Sequence, residues 1–216
     1  MTWARSIFNR LGITLLLLSP NLAAANPVSF KDGWGIMPAT GKDWTDLTVN
    51  YSLTNRYAIG LSEYFRRGSS STATFDIGQF NYLVKRWNEM DSQANIYASA
   101  GLGARRASTG DECFAAYTAI EANYETRRVY TLLSGESLWS TEENAFNRLR
   151  YRAGVAPYEA PFDELQTWLF VQVDYMPEFE ETAEVTPLVR FFYNNYALEI
   201  GASLDGAPFF SAMAHF

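Results

Sequence analysis

The 216-residue chain has one cysteine, Cys113, which excludes an intramolecular disulfide. It has one histidine, His215, two residues from the end. Proton relays and zinc sites generally draw on histidine with a partner in a cleft, and no partner motif accompanies this one. The outer-membrane proteases, phospholipases and lipid A deacylases rely on a histidine beside Ser, Asp or Asn, so those chemistries are not expected. Palmitoyl transfer is harder to exclude, because serine is plentiful. No phosphate loop, Ser-centred elbow or paired metal motif occurs, and no cofactor or metal is implied. Base is scarce as well: 17 Lys and Arg stand against 24 Asp and Glu, a net charge of −7. Nucleic-acid binding needs clustered cations, so that partner is excluded. Beyond the first 25 residues there is no apolar run of the roughly 20 residues that a transmembrane helix needs, and almost no 3.6-residue periodicity.

The first 25 residues have the layout of an export signal. Arg5 and Arg10 form a basic start, Leu11 to Leu18 an apolar core, and Pro20 breaks the run before Ala23-Ala24-Ala25. Small residues at Ala23 and Ala25 suit an export peptidase, so cleavage is expected after Ala25, leaving 26–216 as one domain. The removed segment carries two arginines and no acid, so what remains is more acidic still.

What the remainder does have is alternation. In Leu47-Thr48-Val49-Asn50-Tyr51-Ser52-Leu53 odd positions are apolar and even ones polar. The period recurs in Ala94–Ala104, Leu149–Val155, Leu165–Tyr175, Val185–Tyr193 and Tyr196–Leu204. A period of two means strands with two chemically different faces. A soluble sandwich or barrel would turn the apolar face to a core, whereas a membrane barrel turns it to lipid. Most runs are about 9–12 residues, the length that crosses a bilayer at a tilt rather than the usual 5–6 of soluble strands. Aromatics make up 16% of the chain, and many stand at strand ends: Trp44, Tyr57, Phe65, Trp87, Trp139, Tyr193 and Tyr196. Rings so placed suit two interfacial girdles. One segment breaks phase: Phe75 and Ile77 are odd, while Phe80, Tyr82 and Val84 are even. A bulge or kink at Gly78 between them would account for it.

At the C-terminus, Phe210, Ala212, Ala214 and Phe216 share one face, and Phe209, Ser211, Met213 and His215 the other. This row resembles the last strand of bacterial outer-membrane β-barrels, with two alanines smaller than usual. The resemblance implies a transmembrane antiparallel β-barrel, inserted by the machinery that reads that strand and surrounded by outer-membrane lipid and lipopolysaccharide. Turn signals at Thr54-Asn55, Arg127-Arg128, Asn194-Asn195 and Asp205-Gly206, with longer polar breaks between, give eleven strands from Trp44 onward. Single-chain barrels use even numbers, so Val28–Pro38 becomes a twelfth, poor in strand character because of Gly33, Gly35 and Pro38; ten strands is the alternative. A periplasmic C-terminus puts the breaks at Arg66, Arg106, Ser140 and Pro177 outside.

On the inward parity lie Arg148, Arg150 and Arg152 in one strand, Glu121 and Glu125 in another, and Arg190 and Glu199 in neighbouring C-terminal strands. Crossing acids and guanidiniums should pair inside a narrow lumen. Arg66 and Arg67 are expected at the outer rim, near lipid phosphates, and Glu178-Phe179-Glu180-Glu181 in an outer loop. Three functions stay open: a narrow pore for small, anionic solutes, guided by the Arg ladder; a closed structural or surface-interaction barrel plugged by Trp168, Phe170 and Tyr117; and a soluble periplasmic barrel binding an apolar ligand.

Overall fold

A computed structural model describes residues 26–67, 72–108, 110–141, 146–179 and 182–216. The signal segment, with Ala23 and Ala25, lies outside the described residues. The alternating runs become twelve strands: β1 Trp34–Thr40, β2 Trp44–Ser52, β3 Tyr57–Arg67, β4 Thr72–Asn88, β5 Ser92–Ala107, β6 Glu112–Thr126, β7 Val129–Ser140, β8 Phe146–Val155, β9 Gln166–Tyr175, β10 Glu184–Tyr193, β11 Tyr196–Ala202 and β12 Pro208–His215. Each pairs antiparallel with the next, and β1 pairs with β12, so the sheet closes on itself. Twelve is therefore the number, and ten is set aside.

The weak first strand forms because closure leaves it two partners. It pairs with β2 along its whole length, Pro38 lying opposite Leu47. Toward β12 the ladder skips Met37 and Pro38, as a residue without an N–H requires. The seam is finished by Phe216, whose backbone N–H donates to Trp34 O and whose C=O accepts from Trp34 N, each at 2.9 Å.

Side chains divide as the period demands. Outside stand Leu61, Leu102, Ile120, Leu149, Val171 and Ile200, all exposed; inside, Asn50, Asn81, Asn95 and Gln172 are buried. Polar inside and apolar outside is the reverse of a soluble barrel. The outward row turns charged at Glu63, Asp76 and Arg106, with Arg106 paired to Asp76.

Two expectations about facing fail. Trp44 belongs to no girdle: it is 2% exposed, because it shares the inward phase of Asp46, Thr48 and Asn50. Nor does a bulge at Gly78 turn Phe75 and Ile77 outward. Pairing runs unbroken through Ile77↔Gly103, Gly78↔Leu102 and Gln79↔Gly101. Both apolar side chains point inward and pack with Tyr64, Tyr117 and Leu138. The irregularity comes later, between Leu83 and Lys85, where one extra residue lets Val84 and Trp87 both face outward.

Connections are short. Arg127-Arg128 and Asn194-Asn195 are two-residue turns, and Asn194 has φ 51°. That is the left-handed geometry a tight hairpin takes. The ten-residue connection 156–165 is on the end that carries Trp34 and Phe216, not on the opposite end, where β3, β5, β7 and β9 finish.

Candidate functional site, a charged lumen

Alternation turns Arg148, Arg150 and Arg152 of β8 inward together, and pairing sets acceptors beside them. Glu136 of β7 is opposite Arg148; Asp174 and Gln172 of β9 are opposite Arg150 and Arg152. Arg150 grips Asp174 with both prongs of its guanidinium, Nε to Oδ1 at 2.6 Å and Nη2 to Oδ2 at 3.1 Å. Arg152 donates Nε to Gln172 Oε1 at 2.8 Å and Nη1 to Glu199 Oε1 at 2.9 Å. Arg190, opposite Glu199 across the β10–β11 pair, reaches the same oxygen through Nε at 2.7 Å. Gln172 Nε2 donates to Asp174 Oδ2 at 2.6 Å and joins the two groups.

A second cluster spans the lumen. Arg148 Nη2 lies 2.8 Å from both Asp46 Oδ2 and Glu136 Oε1, and Arg66 binds the same two acids, Glu136 at 3.1 Å. Aromatic faces fill the gaps between the cations: the Arg148 and Arg150 guanidinium carbons lie 4.6 and 5.0 Å from the Trp44 ring centre, and that of Arg190 lies 4.6 Å from Phe170. Trp168, Phe170 and Tyr117 are buried beside them.

Of the residues singled out beforehand, Arg148, Arg150, Arg152, Arg190 and Glu199 come together. Glu121 and Glu125 do not join them. Glu121 accepts from Asn123 Nδ2 at 3.0 Å, while Glu125, 2% exposed, has an Oε1 with no hydrogen-bond partner. Besides Glu199, the acids that hold the ladder are Asp46, Glu136 and Asp174, each on the inward parity of its strand. Parity alone would have named them; what it does not tell is which walls meet across the lumen. Arg66, expected at the rim, is 2% exposed inside, in phase with Ser62 and Tyr64. Arg67 alone is outward and exposed, over the Phe65 ring. Glu178 is tied down, accepting from Asn147 N and Nδ2 at 3.0 and 2.7 Å, while Phe179 stacks on Phe146. Glu180 and Glu181 lie outside the described residues. Phe210 and Phe216 point outward; Phe209 and Met213 are buried, Met213 packing on Phe192 and Ala197. Ala212 and Ala214 share the outward row, opposite Leu198 and Tyr196 of β11. His215 faces inward next to Gly35, its Nε2 without a hydrogen-bond partner.

The opposite wall, from β2 to β6, is lined by smaller polar groups. Asn81 donates to Asn50 at 3.0 Å and accepts from Ser99 at 2.6 Å; Gln79 donates to Ser62 at 2.7 Å. Gly103 is there because β4 and β5 run close: a Cβ would lie 1.8 Å from Asp76 O. Between this wall and the Arg ladder lies a cavity of about 210 Å³, bordered by Arg148, Arg150, Arg152 and Arg190 and by Asp46, Glu121, Glu136 and Glu199. Pro27 borders it toward the end that carries Phe216, where Val28 is buried behind it. Met176 and Phe179 pack with Trp44 and Phe209.

No family model matches the chain, and no curated protein matches it. Among solved structures it is similar to the KdgM porin in complex with disordered oligogalacturonate, at 10% identity and a TM-score of 0.48, over 85% of this chain and 99% of that one. A second structure of the KdgM porin gives 9% identity and a TM-score of 0.47, over 85% of this chain and 98% of that one.

Proposed function

We propose that the chain is exported, cleaved after Ala25 and inserted into the outer membrane, where it forms a narrow pore for small polar solutes. One observation carries the pore: the 210 Å³ cavity inside the barrel, between a packed charged half and a half lined by Asn, Ser and Thr. The apolar outward rows support insertion, with lipid and lipopolysaccharide as surroundings. The aromatic row ending at Phe216 supports delivery by the barrel-insertion machinery. An anion preference does not follow from the ladder. The four arginines that border the cavity face four carboxylates, so the pore is weakly charge-selective.

A second reading, a closed barrel of structural or surface-interaction role, draws on the burial of Trp44, Trp168, Phe170 and Phe209 in the lumen. Planar-bilayer recording of the refolded chain separates the two. Small steps with a reversal potential near zero in a KCl gradient, moving toward cation selectivity in Arg150→Gln, support the pore. Silence at every voltage, in protein whose gel mobility is heat-modifiable, leaves only the closed barrel.

A further inference from the structure

Two inward-facing acids that the ladder does not use lie on one strand, the buried Glu125 and the half-buried Glu121, and one residue of the N-terminal segment lies beside them. On β6 the inward row reads Glu121, Asn123, Glu125, successive members about 7 Å apart. Asn123 Nδ2 donates to Glu121 Oε1 at 3.0 Å and to Asn26 Oδ1 at 3.1 Å, and Asn123 Oδ1 accepts from Asn95 at 2.8 Å. Asn26 is thus held on the residue between two carboxylates. From there the segment runs into the barrel mouth. Val28 is 1% exposed against Ala58, Leu83 and Tyr97, and Ser29 N donates to Ser52 Oγ at 2.9 Å.

Among the described residues Glu121 is held by Asn123, and Glu125 Oε1 has no hydrogen-bond partner. Arg150 and Arg152 are committed to Asp174, Gln172 and Glu199, and Arg86 donates to Asn95 at 2.6 Å and the Tyr97 hydroxyl at 3.0 Å. Glu125, 2% exposed with Oε1 bare, is the costly member of the pair. Hydrolysis of the Ala25–Asn26 peptide bond consumes one water, leaves a carboxylate on Ala25 and puts a protonated amine on Asn26. That amine belongs to the residue already seated at Asn123.

We infer that Glu121 and Glu125 form a binding site for the chain's own α-ammonium, created by cleavage, which anchors Asn26–Ser29 against the lumen wall at the barrel mouth and leaves the cavity beside it open. The inference rests on cleavage after Ala25 as proposed above. Before cleavage the position holds a neutral amide, so the acids gain their counter-ion only once the leader has gone. Export and the docking of this segment on the wall are thereby ordered in time.

The test uses the chain beginning at Asn26, refolded in lipid vesicles, with its α-amine free or acetylated. Acetylation alters no side chain, so folding is not at issue. Hydrogen exchange at Val28 and Ser29 is expected to run about tenfold faster in the acetylated chain, and as fast again in E121Q/E125Q with a free amine. Labelling of the free α-amine by an N-hydroxysuccinimide ester is expected to be about tenfold slower folded than in urea, a protection lost in E121Q/E125Q. Equal exchange in acetylated and free chains, or an amine that labels as fast folded as unfolded, overturns the inference. The intact mass of protein taken from the outer membrane reads the cleavage separately. A terminus other than Asn26 overturns both, whereas Asn26 with unchanged exchange overturns the inference alone.

Discussion

Glu199 is the residue on which the packed half of the lumen depends. Its Oε1 accepts from Arg152 Nη1 at 2.9 Å and Arg190 Nε at 2.7 Å, and the three side chains are between 4% and 9% exposed. Glu199→Gln keeps a carbonyl acceptor and nearly the same volume but deletes the charge. Two guanidiniums then stay inside without the carboxylate charge that lay between them. Breaking a buried pair from one side costs about 3–5 kcal/mol, because an uncompensated charge is left in place. Screening by added salt should recover little of it, since the pair lies away from bulk ions. Urea unfolding in vesicles reads the loss as a shifted midpoint. Adding Arg190→Met, which removes one stranded cation, is expected to restore part of it, and the double-variant cycle isolates the coupling. A cost under about 1 kcal/mol, the value of an exposed pair, would refute the reasoning. It would mean that water already solvates these guanidiniums and that the Arg152–Glu199–Arg190 side of the lumen is wet.

Three further perturbations address other parts of the barrel. Val171→Arg, midway along the outward row of β9, is expected to destabilise the barrel in vesicles by about 2–4 kcal/mol. An unchanged unfolding midpoint would mean that the face meets water. Gly154→Val would press a Cβ to within 2.4 Å of the Phe170 ring. Overpacking of about 1–3 kcal/mol is expected, with a changed near-ultraviolet spectrum as Phe170 leaves Arg190. Phe216→Ala removes the outward ring but keeps the backbone bonds to Trp34. Slower assembly by the insertion machinery, with near-normal stability once assembled, is the expected split, read by the rate at which the heat-modifiable band appears.

Architecture was legible in the sequence because a strand's period is an integer. Parity assigns a face with no knowledge of the neighbours, and turns such as Asn194-Asn195 mark ends by backbone geometry. Even β1, with Gly35 and Pro38 against it, could be inferred from the need for an even count. The errors share one origin, the equation of apolar with outward. Phe75, Ile77 and Trp44 are apolar and inward because a twelve-stranded lumen is too wide for polar side chains alone to fill and too narrow to stay open throughout. Arg66 failed in the opposite sense. Its place beside a polar break suggested a rim, yet its parity with Ser62 and Tyr64 was the better guide. The pairing of the charges was legible only in part. Arg190–Glu199 follows from adjacent strands, whereas Asp46 and Arg148 are 102 residues apart and meet only after closure.

That separation explains why a barrel would invest so many charges where apolar packing would serve. Alternating polar and charged residues keep the mean hydropathy of the whole chain at −0.16 despite 48% apolar residues. Before closure, Asp46, Arg66, Glu136 and Arg148 sit on four different strands, solvated and indifferent to one another. Closure with the right register sets each of the two arginines within about 3 Å of both acids. A one-residue slip of any of these strands would turn its charge into lipid and leave its partners bare inside. The network therefore penalises wrong closures more than it stabilises the right one. The same logic extends to Glu121 and Glu125, whose penalty persists until the segment beginning at Asn26 arrives with its amine. A barrel that closed on the wrong register would bury its arginines away from the partners that Asp46, Glu136, Asp174 and Glu199 supply in the right one.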